Sequence, residues 1–321
     1  MNFFDKLLKC DIGLLPYSQF STSNGLYNYV NWWGNKRAED IWFTKFMEKN
    51  INCDKKFFFY SVFGSPGYIK RKCHNERDSI NIFFTGENVS SSGISRRFRR
   101  YSKHMLDVVD LSMGFEYIDD EKYCRFPLWI LYFFPPESTY EDIKGLVSKI
   151  NSPRMDFVDR TIQCSNISRH DKNGMRAKIC DSVSKIVSVR YEGAWRNNSF
   201  LLKEEYNDNK TDYLAHVKFN ICPENSNEYG YVTEKIFQSI FSGAIPIYWG
   251  GMGHPEENLI NKDAFLYWED TPNFSNHLES LITNNKYYEE FASQPRLIDG
   301  AEDVIWGYFE NLKSKIERLV C

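Results

Sequence analysis

Apolar and polar residues fall into blocks along this chain, and the blocks come in two lengths. Residues 57–63, FFFYSVF, are a short unbroken aromatic and β-branched run, the pattern of a buried strand. SINIFFTGEN (79–88) is a second such run that stops abruptly in polar residues, and CRFPLWILYFF (124–134) is a further apolar segment closed by Pro135 and Pro136. NGMRAKICDSVSKI (173–186) has helical periodicity. Later, TEKIFQSIFSG (233–243) reads as a helix set between two strands, AHVKFNIC (215–222) and AIPIYW (244–249). Thr233 suits its N-cap and Gly243 the position just past its end. Strand, helix and strand in that order make a βαβ unit, so the pattern predicts an α/β protein with parallel sheets. A Ser-Pro turn in NSPRMD marks a break near 150–160, giving expected domains of 1–158 and 159–300. The final stretch puts Ile305, Phe309, Leu312, Ile316 and Leu319 on one face and predicts an amphipathic helix over 301–321.

With 321 residues the chain is long enough for two cored domains. Aromatic residues make up 17%, a high share; such rings fill cores but also stack on half-apolar ligands such as bases and sugar rings. A formal net charge of -3 argues against a dedicated nucleic-acid binder. The 8 cysteines are scattered with no C-x-x-C pair, which disfavours zinc and thioredoxin-like chemistry and suits a reducing compartment. The N-terminal stretch is too short and too charged for a signal peptide, and no apolar run approaches the roughly 18 residues a membrane helix needs. The expected location is cytoplasmic. The basic run at Arg96, Arg97, Arg99 and Arg100 leaves two readings open: a solvated helix face, or a contact with the inner face of a membrane or a charged acceptor.

Candidate chemistry concentrates in KFNICPENSNEYGYVTEK (218–235), the loop that joins a strand to a helix N-terminus. In open α/β sheets ligands sit at that place, outside the carboxyl ends of the strands. A helix N-terminus offers N–H groups and a positive dipole end, which suits phosphate. Lys235 falls in the first helical turn, where a cation is unfavourable for the helix itself; an anionic partner is the natural explanation. Glu234 can accept hydrogen bonds from sugar hydroxyls, and Asn225 can both donate and accept. The plain alternative is a solvated loop with an acid-rich cap. Neither a P-loop nor a Gly-x-Gly-x-x-Gly fingerprint occurs.

KFNICPENSNEYGYVTEKIFQSIFSGAIPIYWGG (218–251) resembles the donor-binding signature of the α1,3/α1,4-fucosyltransferases. FFTGENVS (83–90) is similar to that family's Thr-Gly-Glu-Asn segment, and NGMRAKICDSVSKI to the helix carrying its phosphate-binding arginine. Pro223 departs from the family, which often has an aromatic residue there. The resemblance spans roughly residues 80–270. It implies a GT-B architecture: two Rossmann-like domains facing across a cleft, the first for acceptor and the second for GDP-fucose. It assigns donor binding to Arg176, Asn225, Tyr231, Glu234 and Lys235, with Glu234 at the fucose and Arg176 and Lys235 at the diphosphate. It assigns the general base to Glu87.

Those roles fit the chemistry. A carboxylate at a strand end can take the proton of an acceptor hydroxyl. Read without the resemblance, Glu87 is equally a turn carboxylate bonded to the Ser90–Ser92 amides, and Arg176 a solvated helix residue. Arg176 and Lys235 would stabilise the departing diphosphate. No Asp-x-Asp occurs, so the usual carboxylate bridge for a metal–diphosphate is missing and no divalent cofactor is expected. The expected function is inverting transfer of L-fucose from GDP-fucose to a GlcNAc or Glc hydroxyl of an N-acetyllactosamine-like oligosaccharide or glycolipid. A transferase of another GDP-sugar, and a sugar- or nucleotide-binding protein without turnover, stand as alternatives.

Overall fold

The computed structural model describes residues 18–33, 37–90, 93, 95–152 and 160–321. The chain divides into two compact units: one runs up to Thr139 and takes in Ile305–Cys321, the other is Tyr140–Val304. The division thus comes at 139/140; the domain boundary expected at 158/159 falls at residues 153–159, outside the described residues.

Among the described residues the first unit holds six strands, β1 (Gln19–Ser21), β2 (Tyr27–Val30), β3 (Phe57–Tyr60), β4 (Ile80–Phe84), β5 (Leu111–Gly114) and β6 (Tyr123–Arg125), in sheet order 1-2-3-4-5-6. Only β1 is antiparallel to its neighbour; β2 to β6 are parallel. Helices α1 (Trp42–Asn50) and α2 (Pro66–Asn75) belong to this unit. β3 is FFFY with every residue buried, because both faces of a parallel sheet are covered. On one face Phe59 stacks on Tyr29 at 5.0 Å and Phe43 of α1 at 5.7 Å. On the other, Phe58 and Tyr60 join Ile69 and Cys73 of α2 in a separate cluster. Each such ring contributes roughly 1.5–3 kcal/mol by leaving water. The apolar segment 124–134 is not one element: Pro127 cannot extend a ladder, so the strand stops at Arg125 and a short helix covers Trp129–Phe133.

The second unit holds α3 (Tyr140–Asn151), then β7 (Ile162–Asn166), α4 (Met175–Val183), β8 (Val189–Tyr191), β9 (Val217–Ile221), α5 (Glu234–Ser242), β10 (Ile245–Tyr248), β11 (Leu266–Tyr267), α6 (Pro272–Thr283) and α7 (Asn285–Ala292). Its sheet is all parallel, in the order 11-10-9-7-8. The order of connection across the sheet therefore reverses between β7 and β9, and the loops leaving these two strands lie side by side there. This Rossmann-like order, with the parallel α/β sheet of the first unit, is the fold class expected for a GT-B protein.

The last helix, α8 (Ala301–Val320), begins in the second unit, and from Ile305 it belongs to the first. Ile305, Phe309, Leu312 and Ile316 are buried as the periodicity predicts, while Leu319 is half-buried. Phe309 lies among Trp42, Phe46 and Phe126 at ring separations of 5.6, 6.2 and 6.4 Å. Among the described residues no helix is long and apolar enough to cross a membrane. Cys73, Cys124, Cys164, Cys180 and Cys222 are buried free thiols, and Cys321 is exposed.

Candidate active site

Two loops meet at the switch point of the second sheet. The loop after β7 leads into α4, and the loop after β9 leads into α5. Asn166, the last residue of β7, donates from Nδ2 to the carbonyl of Ile221, the last residue of β9, at 2.8 Å. Beyond that point β9 continues to pair with the β10 side only: Cys222 N donates to Ile247 O at 2.9 Å and Glu224 N to Trp249 O at 2.8 Å. The intervening residue is Pro223. Its missing N–H faces the side where β7 has already ended, so the departure from the family pattern costs no ladder bond.

Arg176 sits in the first turn of α4 and is only 6% exposed. Its Nη2 donates to Asn225 Oδ1 at 2.7 Å and its Nη1 to the His170 carbonyl at 2.5 Å. Asn225 is tied further by Asn173, whose Nδ2 donates to the Asn225 carbonyl at 2.9 Å. Burial pulls the Arg176 guanidinium below its ordinary pKa, against the opposing fields of Asp171 and Glu224. Asp171 also accepts the α4 amides of Arg176 at 3.3 Å and Ala177 at 2.8 Å, and so fixes the turn that carries the arginine. The reading of Arg176 as a solvated helix residue is excluded by this burial.

Lys235 has found an anion inside the protein. Its Nζ lies 2.9 Å from Glu224 Oε2 and 2.7 Å from Thr233 Oγ1, and 3.9 Å from Glu234 Oε1. The Glu224 side chain is wholly buried, whereas that of Lys235 is 22% exposed. Burial alone would lower the Lys235 pKa, but the Glu224 and Glu234 carboxylates outweigh it and hold the ammonium above its ordinary value. Thr233 does occupy the N-cap of α5, yet its side chain caps nothing: the hydroxyl turns to Glu224, at 2.8 and 2.9 Å from its two oxygens. The Thr233 amide donates to Glu224 as well, at 2.8 Å. A helix N-terminus read as free donors for phosphate is therefore partly occupied by this carboxylate.

Glu224 is the residue the sequence reading passed over. It lies in the loop between Pro223 and Asn225, and the unfavourable placement of Lys235 was the signal that a carboxylate had to be near. Gly250 makes room for it. This glycine has φ +148, and a Cβ there would come within 2.7 Å of Glu224 Cγ. Glu234 is half-buried at the first position of α5; burial would raise its pKa, but Lys235 prevails and holds it below the ordinary value. Tyr231 is buried in the same loop, 1% exposed, with Gly230 at φ +78 before it.

Glu87 belongs to the first unit. β4 ends at Phe84, so the sheet does not hold the Glu87 backbone; Thr85 does. The Glu87 amide donates to Thr85 Oγ1 at 3.0 Å, and that hydroxyl donates back to the Glu87 carbonyl at 2.9 Å. The residue is half-buried. The Ser90 amide donates to Asn88 Oδ1 at 2.8 Å, while Ser91 and Ser92 lie outside the described residues. Of the basic run, Arg96, Arg97, Arg99 and Arg100 are all exposed, and Arg97 donates to the Phe63 carbonyl.

Comparison with known proteins identifies the family. The family model described as glycosyltransferase family 10 (fucosyltransferase) C-term matches residues 159–295, and the alpha-(1,3)-fucosyltransferase FucT N-terminal domain matches residues 27–132. Alpha-(1,3)-fucosyltransferase FucT of Helicobacter pylori is 25% identical over 89% of this chain, which spans 63% of that relative's length. The human 4-galactosyl-N-acetylglucosaminide 3-alpha-L-fucosyltransferase 9 is 28% identical over 39% of this chain and 34% of its own. Among solved structures, an alpha1,3-fucosyltransferase aligns with TM-score 0.61 and 20% identity over 97% of both chains. An alpha1,3-fucosyltransferase with GDP-fucose aligns with TM-score 0.60 and 21% identity over 88% of both, a likeness of fold. The two family models match separate segments that together make up more than half of the chain, including those that carry Glu87, Arg176 and the 218–235 loop, and on that ground the chain belongs to the family 10 fucosyltransferases.

Proposed function

We propose that this chain transfers L-fucose from GDP-fucose to a GlcNAc or Glc hydroxyl of an oligosaccharide or glycolipid acceptor, with inversion. The observation that carries the reading is the buried Arg176 guanidinium, held by Asn225 at the switch point of the second sheet. A buried guanidinium at that place is a site for an anion such as a diphosphate. Lys235, with two donor directions taken by Glu224 and Thr233 and its side chain partly exposed, supplies a second positive charge. Glu234, beside it, accepts hydrogen bonds from the fucose hydroxyls.

In the reaction the acceptor hydroxyl gives its proton to the Glu87 carboxylate as its oxygen bonds to fucose C1. The bond from C1 to the β-phosphate oxygen breaks, and GDP leaves with the electron pair, its charge met by Arg176 and Lys235. One displacement turns the β-linked donor into an α-linked product. The two cations and the missing Asp-x-Asp support a reaction that needs no divalent metal. The location proposed is cytoplasmic.

Labelled GDP-fucose incubated with N-acetyllactosamine, lacto-N-biose and lactose tests the reading. The expected result is a fucosylated product, at a rate that chelator leaves unchanged. GDP binding without transfer to any of the three would instead make this a binding protein; product from GDP-mannose but not GDP-fucose would make it a transferase of another sugar.

A further inference from the structure

Resting on the proposed function, we infer that the acceptor sugar lies on an aromatic shelf in the first unit, formed by Trp33, Phe63 and Phe98 beside Glu87. Its ligand class is a neutral gluco-configured pyranose. The placement follows from the sheet. β2, β3 and β4 are parallel and pair with Val30 level with Tyr60 and Tyr60 with Phe83, so the chain leaves all three at one edge. Trp33, Phe63 and Glu87 each come three residues past the last residue of their strand.

The rings form a continuous run. Trp33 meets Phe63 edge to face at 5.4 Å, and Phe63 meets Phe98 the same way at 5.9 Å. Trp33 also rests on Phe84, at 5.3 Å. Phe84 is fully buried, but the other three rings keep part of their surface in solvent. Phe63 and Phe98 pack at the margin of the cluster that holds Phe58 and Tyr60, with one side of each ring left outside it.

The shelf is built, not incidental. Asn31 has φ 55, an uncommon backbone for a residue with a side chain, and it is 1% exposed. Its amide donates to Ser18 O at 2.9 Å, its Oδ1 accepts from Ser18 N at 3.3 Å, and its carbonyl accepts from Ser61 Oγ. Gly64 leaves the space its side chain needs: a Cβ there would lie 1.8 Å from Asn31 Nδ2. This turn sets two adjacent tryptophans edge to face at 4.9 Å. Trp32 packs on Tyr29, Phe43 and Phe59, while Trp33 goes to the sheet edge. A gluco-configured ring presents axial C–H groups on its faces and hydroxyls around its rim. Stacked on these rings it would bury the apolar face and leave a rim hydroxyl for the Glu87 carboxylate.

The test uses 5-fluorotryptophan-labelled protein titrated with N-acetyllactosamine, with the Trp33 resonance assigned from Trp33→Phe. That resonance is expected to move, and to move equally in low and high salt, since the ligand is neutral. In transfer assays Trp33→Ala should raise the acceptor KM about tenfold, with the GDP-fucose KM within about twofold of the parent; Trp33→Phe should recover much of the loss. A Trp33 resonance that stays still at saturating acceptor, or an acceptor KM unchanged in both Trp33→Ala and Phe98→Ala, overturns the shelf. GDP binding by calorimetry on the parent protein is read separately: its absence defeats the donor reading, and the fluorine titration still decides the shelf.

Discussion

The Lys235 ammonium sits 2.9 Å from a carboxylate oxygen of Glu224 whose side chain has no exposed surface. A cation in the first turn of a helix opposes the helix dipole, and this buried partner is what holds it there. Lys235 is thus both a structural counter-ion and, under the proposed function, a donor contact. The two roles can be separated.

Lys235→Ala removes the partner of a buried carboxylate and should cost about 3–5 kcal/mol of stability, read by urea melting. Lys235→Met with Glu224→Gln removes both charges and should recover most of that stability but none of the donor affinity. Full donor affinity in the neutral pair would mean that the ammonium does not touch the diphosphate. The pH dependence has a definite sign. A cation whose folded pKa is raised contributes stability fully below its unfolded pKa, about 10.4, and loses it only as pH rises through the higher folded value. Donor KM should therefore show no titration of Lys235 between pH 6 and about 9.

Arg176→Ala should weaken donor use by roughly 1.5–3 kcal/mol, about tenfold to a hundredfold in kcat/KM, with little change in acceptor KM. Asn225→Ala should produce a smaller effect of the same kind, because Nη2 loses the acceptor that orients it. Arg176→Lys should not rescue, since a single ammonium cannot serve both the His170 carbonyl and Asn225 and still reach a ligand. Steady-state kinetics with varied GDP-fucose decides; unchanged donor kinetics in the alanine variants would place the diphosphate elsewhere.

Glu87→Gln keeps the shape and removes the basicity. The expected variant folds, binds GDP normally and loses roughly 10²–10⁴-fold in kcat, the usual worth of positioned general-base help. Its backbone is held by the Thr85 hydroxyl, which the substitution leaves in place, so Tm should move far less than turnover. A lowered Tm with normal turnover by the folded fraction would make it a structural carboxylate.

Phe309→Ala in α8 should cost about 3–5 kcal/mol, the usual penalty for a buried aromatic truncated to alanine, because Trp42, Phe46 and Phe126 all lose the same partner. Truncation after Glu302 removes Ile305, Leu312 and Ile316 as well and should leave no soluble folded protein. A stable, fully active truncation product would show that the first unit does not need the helix.

The elements themselves were legible in the sequence wherever burial was two-sided or strictly periodic. FFFY is a continuous apolar run, and INIFF is one but for the buried Asn81, because a parallel strand is covered on both faces; Ile305, Phe309, Leu312 and Ile316 recur at helical spacing because one face of α8 is buried. Gly243 ends α5 in the left-handed conformation expected of it. Residue type and position in a strand-to-helix loop were enough to nominate Asn225, Glu234 and Lys235. Partners were another matter. Nothing in the spacing says that Arg176, 49 residues before Asn225, would donate to its side chain, or that the anion demanded by Lys235 would be Glu224, 11 residues back. Nor does it say that Trp32 would pack on Tyr29 and Phe59 while Trp33 meets Phe63. Local pattern records which side of an element is buried, a property each segment carries by itself. Hydrogen-bond partners, buried counter-ions and the strand order that brings two loops to one point depend on residues far apart in the chain, and only the folded sheet brings them together.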